Sequence, residues 1–213
     1  MHAASSGPET TAQSRDMLTR LGGWLFKHRT AIPIPIVLAI LLLPPASSSI
    51  ALGTVGIALV AVGEALRLLA VRQIGAVSRT RSDRLGPLVA SGPFRWVRNP
   101  LYLGNIALWL GLALAAGLPW LVAPITLLLA LEYHAIVRWE EQLLAARLGE
   151  PYRRYLAMVP RWLPTPPSAA MKATSPGAPF TWRDTLFSER GTLIAIGVGL
   201  LLLWAKASLQ LTA

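Results

Sequence analysis

Five apolar stretches constrain this chain more than any other feature: Ala31–Pro45, Ile50–Val71, Leu101–Gly117, Trp120–Val137 and Gly191–Leu211. A helix needs about 20 apolar residues to cross the hydrocarbon core of a bilayer. Only structures that pair every backbone polar group internally survive there. The pattern predicts an all-α, polytopic integral membrane protein of about five transmembrane helices. Apolar residues make up 54% and charged residues 14% of the 213. That composition excludes a disordered chain and argues against a soluble enzyme, whose charged share is about 25%. The absence of cysteine excludes a disulfide scaffold, a thiolate zinc site and a cysteine nucleophile. The formal charge of +10 fits anionic headgroups better than nucleic acid in so apolar a chain.

Arginine then orients the helices. Segment 1–30 holds Arg15, Arg20, Lys27 and Arg29. The second connection holds Arg72, Arg79, Arg81, Arg84, Arg95 and Arg98, and the fourth run is followed by Arg138, Arg147, Arg153, Arg154 and Arg161. The alternate connections, 44–49 and 116–119, carry no charge. The positive-inside rule places the basic segments in the cytoplasm and the C-terminus outside, as in a bacterial inner membrane. A cleaved signal peptide is the alternative reading of the first run, disfavoured by Pro44 and Pro45 in the cleavage region. The chain divides into an N-terminal cytoplasmic segment (1–30), a core of four spans plus an interfacial helix (31–164), a proline-rich cytoplasmic linker (165–189) and a C-terminal transmembrane helix (190–213). That last helix reads as an accessory anchor. Lys206 near its outer end reads as snorkelling.

The chemistry concentrates where the third and fourth runs meet the basic side. Ser91-Gly92-Pro93-Phe94-Arg95-Trp96-Val97-Arg98-Asn99-Pro100-Leu101-Tyr102-Leu103-Gly104 leads into the third run. A proline sits where the helix should begin. Two arginines and an asparagine gather at that helix N-terminus, which favours an anion. Leaving the fourth run, Arg138-Trp139-Glu140-Glu141 is followed by Gly149, Tyr152, Tyr155 and Val159-Pro160-Arg161. The two runs form an antiparallel hairpin, so Asn99–Gly104 and Arg138–Glu141 should lie close together. Glu132 and His134 are ionisable residues inside the fourth run, and such residues are functional candidates. Glu64 and Arg67, at i and i+3 in the second run, read as a structural pair. No glycine-rich nucleotide loop follows a strand. No cluster has metal-ligand spacing.

The ordered set Gly-Pro-Phe-Arg-x-x-Arg-Asn-Pro-x-Tyr-x-Gly, tight hairpin, Arg-x-Glu-Glu, Gly-x-x-Tyr-x-x-Tyr and Val-Pro-Arg resembles the integral-membrane S-adenosylmethionine methyltransferases. These include isoprenylcysteine carboxyl methyltransferase and its phospholipid N-methyltransferase relatives. The resemblance covers roughly residues 50–164 and implies S-adenosylmethionine as cofactor, held at the cytoplasmic ends of the hairpin. It implies a cofactor site of Arg95, Arg98, Asn99, Pro100, Tyr102 and Gly104 on one wall, and His134, Arg138, Glu140 and Glu141 on the other. Glu140, Glu141 and Arg161 are the candidates for the chemistry. Asn99 stands where the family's carboxyl methyltransferases usually carry histidine, which favours phospholipid-type N-methylation. The implied partners are the membrane and a lipid or lipophilic acceptor, with no nucleic acid. Carboxyl O-methylation of an isoprenylcysteine-like acceptor is the alternative. A nicotinamide-dependent membrane reductase and a non-catalytic scaffold are more remote. Neither the acceptor nor the oligomeric state is legible.

Overall fold

The computed structural model describes residues 8–75, 88–168 and 179–211. Seven α-helices occur among them, and no strand: α1 (Pro8–His28), α2 (Ile34–Leu42), α3 (Ile50–Ile74), α4 (Pro100–Ala115), α5 (Val122–Leu148), α6 (Glu150–Met158) and α7 (Trp182–Leu211). The limits follow local chemistry. Ser49 caps α3, its hydroxyl accepting from the Leu52 N–H at 3.4 Å. The helix stops at Gly75, whose φ of +63° is costly for a residue with a Cβ. Pro100 opens α4, where its missing N–H costs nothing.

Three helical segments are long and apolar enough to cross a membrane: Ile50–Ile74, Pro119–Leu148 and Trp182–Leu209. The all-helical membrane class stands, but five spans of full length are not seen. The helix within the first expected run has nine residues, about 13 Å at 1.5 Å each. Pro33 and Pro35 lie at its start, and Pro44 and Pro45 follow its end, which confines it. The 16 residues of α4 give about 24 Å, shorter than the hydrocarbon core.

Two glycine pairs bring α3 and α4 into backbone contact. A Cβ on Gly56 would stand 2.6 Å from the Gly111 carbonyl oxygen, and one on Gly63 would stand 2.8 Å from that of Gly104. Both pairs repeat after seven residues, so they lie on one seam of two antiparallel helices.

The charge-free connections meet at one end of this bundle. The N–H groups of Ala46 and Ser47 donate to the Gly117 carbonyl at 2.9 and 3.1 Å. Arg98, Arg138 and Arg161 gather at the other end.

The terminal regions depart from expectation. Segment 1–30 contains α1, which packs along α5: Gly22 and Gly23 lie against Ala135 and Trp139, and Thr19 donates to the Gln142 side chain at 2.9 Å. Helix α7 begins at Trp182, inside the expected linker. Residues 169–178 of that linker and 76–87 of the basic connection, with Arg79, Arg81 and Arg84, lie outside the described residues.

Helix α7 is also more than an anchor. Arg67 of α3 donates to Glu64, Glu189, Thr192 at 3.2 Å and the Asn105 side chain, joining α3, α4 and α7. Lys206 does not snorkel. Its ammonium donates to the carbonyls of Ile40, at 2.9 Å, and Leu43, capping the end of α2. The outer face of α7 exposes Ile194, Val198, Leu201 and Trp204, a surface suited to lipid.

Candidate active site at the arginine-rich end of the bundle

The loop before α4 is built as a bracket. Ser91 donates to the Gln73 side chain at 2.7 Å, fixing the loop to the end of α3. A 3-10 turn, Gly92–Arg95, buries Phe94. The Phe94 carbonyl accepts from the Tyr155 hydroxyl at 2.9 Å. Tyr152, Tyr155 and Val159 pack with Ala90 in a small core of their own. Burial pushes both phenols well above their usual range, so each hydroxyl keeps its proton. After α6 the chain runs back beside the bracket. The Arg98 N–H donates to Pro160, and the Thr165 N–H to Trp96, at 2.9 and 3.1 Å. Asn99 does not cap α4 with its side chain; its amide donates to the Arg161 carbonyl at 3.1 Å.

These contacts deliver Arg161 to Glu141. Its Nε and Nη2 reach the two carboxylate oxygens at 3.1 and 2.6 Å, a forked pair. Arg98 adds a third contact, Nη1 to Oε1 at 3.1 Å. The Glu141 side chain is 11% exposed, so the group is largely withdrawn from water. Glu140 faces a different partner: the Tyr102 hydroxyl donates to its Oε2 at 3.1 Å. The Tyr102 ring lies 4.7 Å from that of Tyr133. Asn99–Tyr102 and Glu140–Glu141 thus meet as the hairpin predicts. His134 lies within electrostatic reach of Arg138, Glu141 and Arg161. Arg95 closes the 3-10 turn, half-buried.

Gly104 is placed elsewhere. It lies in the α3–α4 seam, its missing Cβ 2.7 Å from the Gly63 carbonyl oxygen and 2.6 Å from the Arg67 side chain. Tyr102, two residues earlier, faces α5; 200° of helical rotation separates the two positions, at about 100° per residue. Pro100 is fully buried at the start of α4. Glu132 is 4% exposed with neither carboxyl oxygen hydrogen-bonded, and joins no part of the cluster. One residue was missed. Arg29, between α1 and α2, stands 4.0 Å over the Phe26 ring, and its charge reaches Glu140 and Tyr102. A lone arginine in a basic segment carries no periodic signal that could have marked it.

The bracket, both walls and the glycine seam fall largely within one stretch of sequence. Residues 52–150 match the phospholipid methyltransferase family. The match spans just under half of the chain and bears out the resemblance read from the motifs. Arg29 and Arg161 lie outside it. No curated protein and no solved structure matches.

Proposed function

We propose that the protein is an S-adenosylmethionine-dependent methyltransferase that acts on a phospholipid-type amine at the cytoplasmic leaflet. The observation that carries this reading is the convergence of Asn99–Tyr102 with Glu140–Glu141, contributed by the family-matched hairpin, at the arginine-rich end of the bundle.

The donor set suits the cofactor. Arg98 Nε is buried without a hydrogen-bond partner, a donor that an anionic or carbonyl oxygen would satisfy. Glu140 offers a carboxylate for an ammonium or for ribose hydroxyls. The Tyr102–Tyr133 pair offers aromatic surface for adenine or for a sulfonium. When bound, the cofactor supplies an electrophilic methyl group. The task of the protein is to orient donor and acceptor and to exclude water. Glu141, Arg98 and Arg161 act by position, since their mutual pairing fixes the returning tail over the mouth of the hairpin. That pairing also disfavours carboxyl O-methylation, for Arg161 is already engaged with a carboxylate. The acceptor would approach laterally along the lipid-exposed surface. Incubation of the purified protein with methyl-labelled cofactor and phosphatidylethanolamine tests the reading. Labelled N-methylated lipid is expected; label in a carboxyl ester, or none, would contradict it.

A further inference from the structure

Two arginines of this site, Arg98 and Arg161, are both engaged by Glu141. The neighbouring carboxylate, Glu140, meets only a neutral donor among its hydrogen bonds described above, the Tyr102 hydroxyl. The cation that flanks Glu140 comes from outside the matched segment. Gly22 and Gly23 let α1 close onto Ala135 and Trp139 of α5. Phe26 then packs its ring 4.9 Å from that of Trp139, the residue before Glu140. The guanidinium carbon of Arg29, one turn later, stands 4.0 Å from the centre of the Phe26 ring. A guanidinium held over a ring still carries a planar fork of N–H donors that matches a planar anion.

We propose that Arg29 and Glu140 together recognise the amino-acid group of the cofactor, Arg29 taking its carboxylate and Glu140 its ammonium. This rests on the methyltransferase reading above. A zwitterion has one charge of each sign a few ångströms apart, and this corner of the site presents the complementary pair. An arginine fork matches a carboxylate in two parallel hydrogen bonds. Neutral overall, the zwitterion leaves no net charge at the membrane face, where an unpaired ion is costly.

Calorimetric binding of S-adenosylhomocysteine and of its decarboxylated analogue, which keeps the ammonium, tests the assignment without turnover. The wild type should prefer the complete ligand. Arg29→Gln should lower its affinity at least about tenfold, the size expected of a lost charge-assisted bond. The same variant should leave the decarboxylated analogue unaffected. Arg29→Lys should fall between, and Glu140→Gln should weaken both ligands while keeping the preference. Equal losses for both ligands in Arg29→Gln would reduce Arg29 to a strut between α1 and α5 and overturn the proposal. So would an unchanged affinity for the complete ligand. A wild type that binds neither ligand would instead remove the methyltransferase reading itself.

Discussion

Glu141 grips two guanidiniums while Glu140, one residue earlier, meets a phenol hydroxyl, so one substitution has two outcomes. Glu141→Gln leaves Arg98 and Arg161 without their carboxylate in a largely buried setting. It should lower the melting temperature of the ligand-free protein, at a cost of about 3 kcal/mol. Glu140→Gln can still accept from Tyr102, so its ligand-free stability should change by less than about 1 kcal/mol. Its loss should appear in cofactor affinity. Thermal melts with and without S-adenosylhomocysteine separate the two; a Glu140→Gln variant as unstable as Glu141→Gln would show that both serve the fold alone. The meeting of these residues was legible, because an antiparallel hairpin leaves the motif before α4 and the one after α5 nowhere else to go. The pairing was not. It depends on the route of the chain after α6, which is fixed by single hydrogen bonds from Arg98, Asn99 and Tyr155.

Among the elements, the α3–α4 seam makes the sharpest prediction. Gly104→Leu forces a side chain into the Gly63 carbonyl and Arg67, and should destabilise the ligand-free protein by about 1–3 kcal/mol, as overpacking does. Gly53→Leu is the control, since nothing lies within 4 Å of a Cβ there. Equal melting temperatures for the two variants in detergent would remove the seam as a source of stability. The heptad spacing of Gly56 and Gly63 against Gly104 and Gly111 was visible in the sequence, but glycines in apolar runs signal no partner until the helices are paired.

The clamp on α7 was hidden for a similar reason: Arg67 and Glu189 are separated by 122 positions. Arg67→Met removes the cation that pairs with two buried carboxylates, Glu64 and Glu189. It should destabilise the protein by about 3–5 kcal/mol, more than Lys206→Met, which frees only backbone carbonyls. A denaturant melt of both variants checks the order.

For the molecule as a whole, the two ends differ in kind: one ties charge-free turns together at Gly117, and the other collects the arginines around Glu141. Arginine asymmetry then predicts that Ser48→Cys reacts with an impermeant thiol reagent from outside intact cells and Leu163→Cys, 79% exposed, only after lysis. The absence of native cysteine makes each label unambiguous. The reverse pattern would invert the topology and move the site to the other leaflet. Helix count was read less well than helix class, because hydropathy registers apolar length whereas prolines decide how much of that length is one helix.

The returning tail also bears on how the protein is made. Asn99 and Arg161 are 62 positions apart, and Glu141 and Arg161 are 20 apart. A chain that leaves the ribosome N-terminus first therefore completes α3, α4 and their seam well before Arg161 emerges. Until then Glu141 has only Arg98, and the bracket lacks the strip of backbone that Arg98 and Trp96 bond. Arg161 is the last member of this cluster to emerge, so α3, α4 and α5 can enter the bilayer before the cluster around Glu141 is complete.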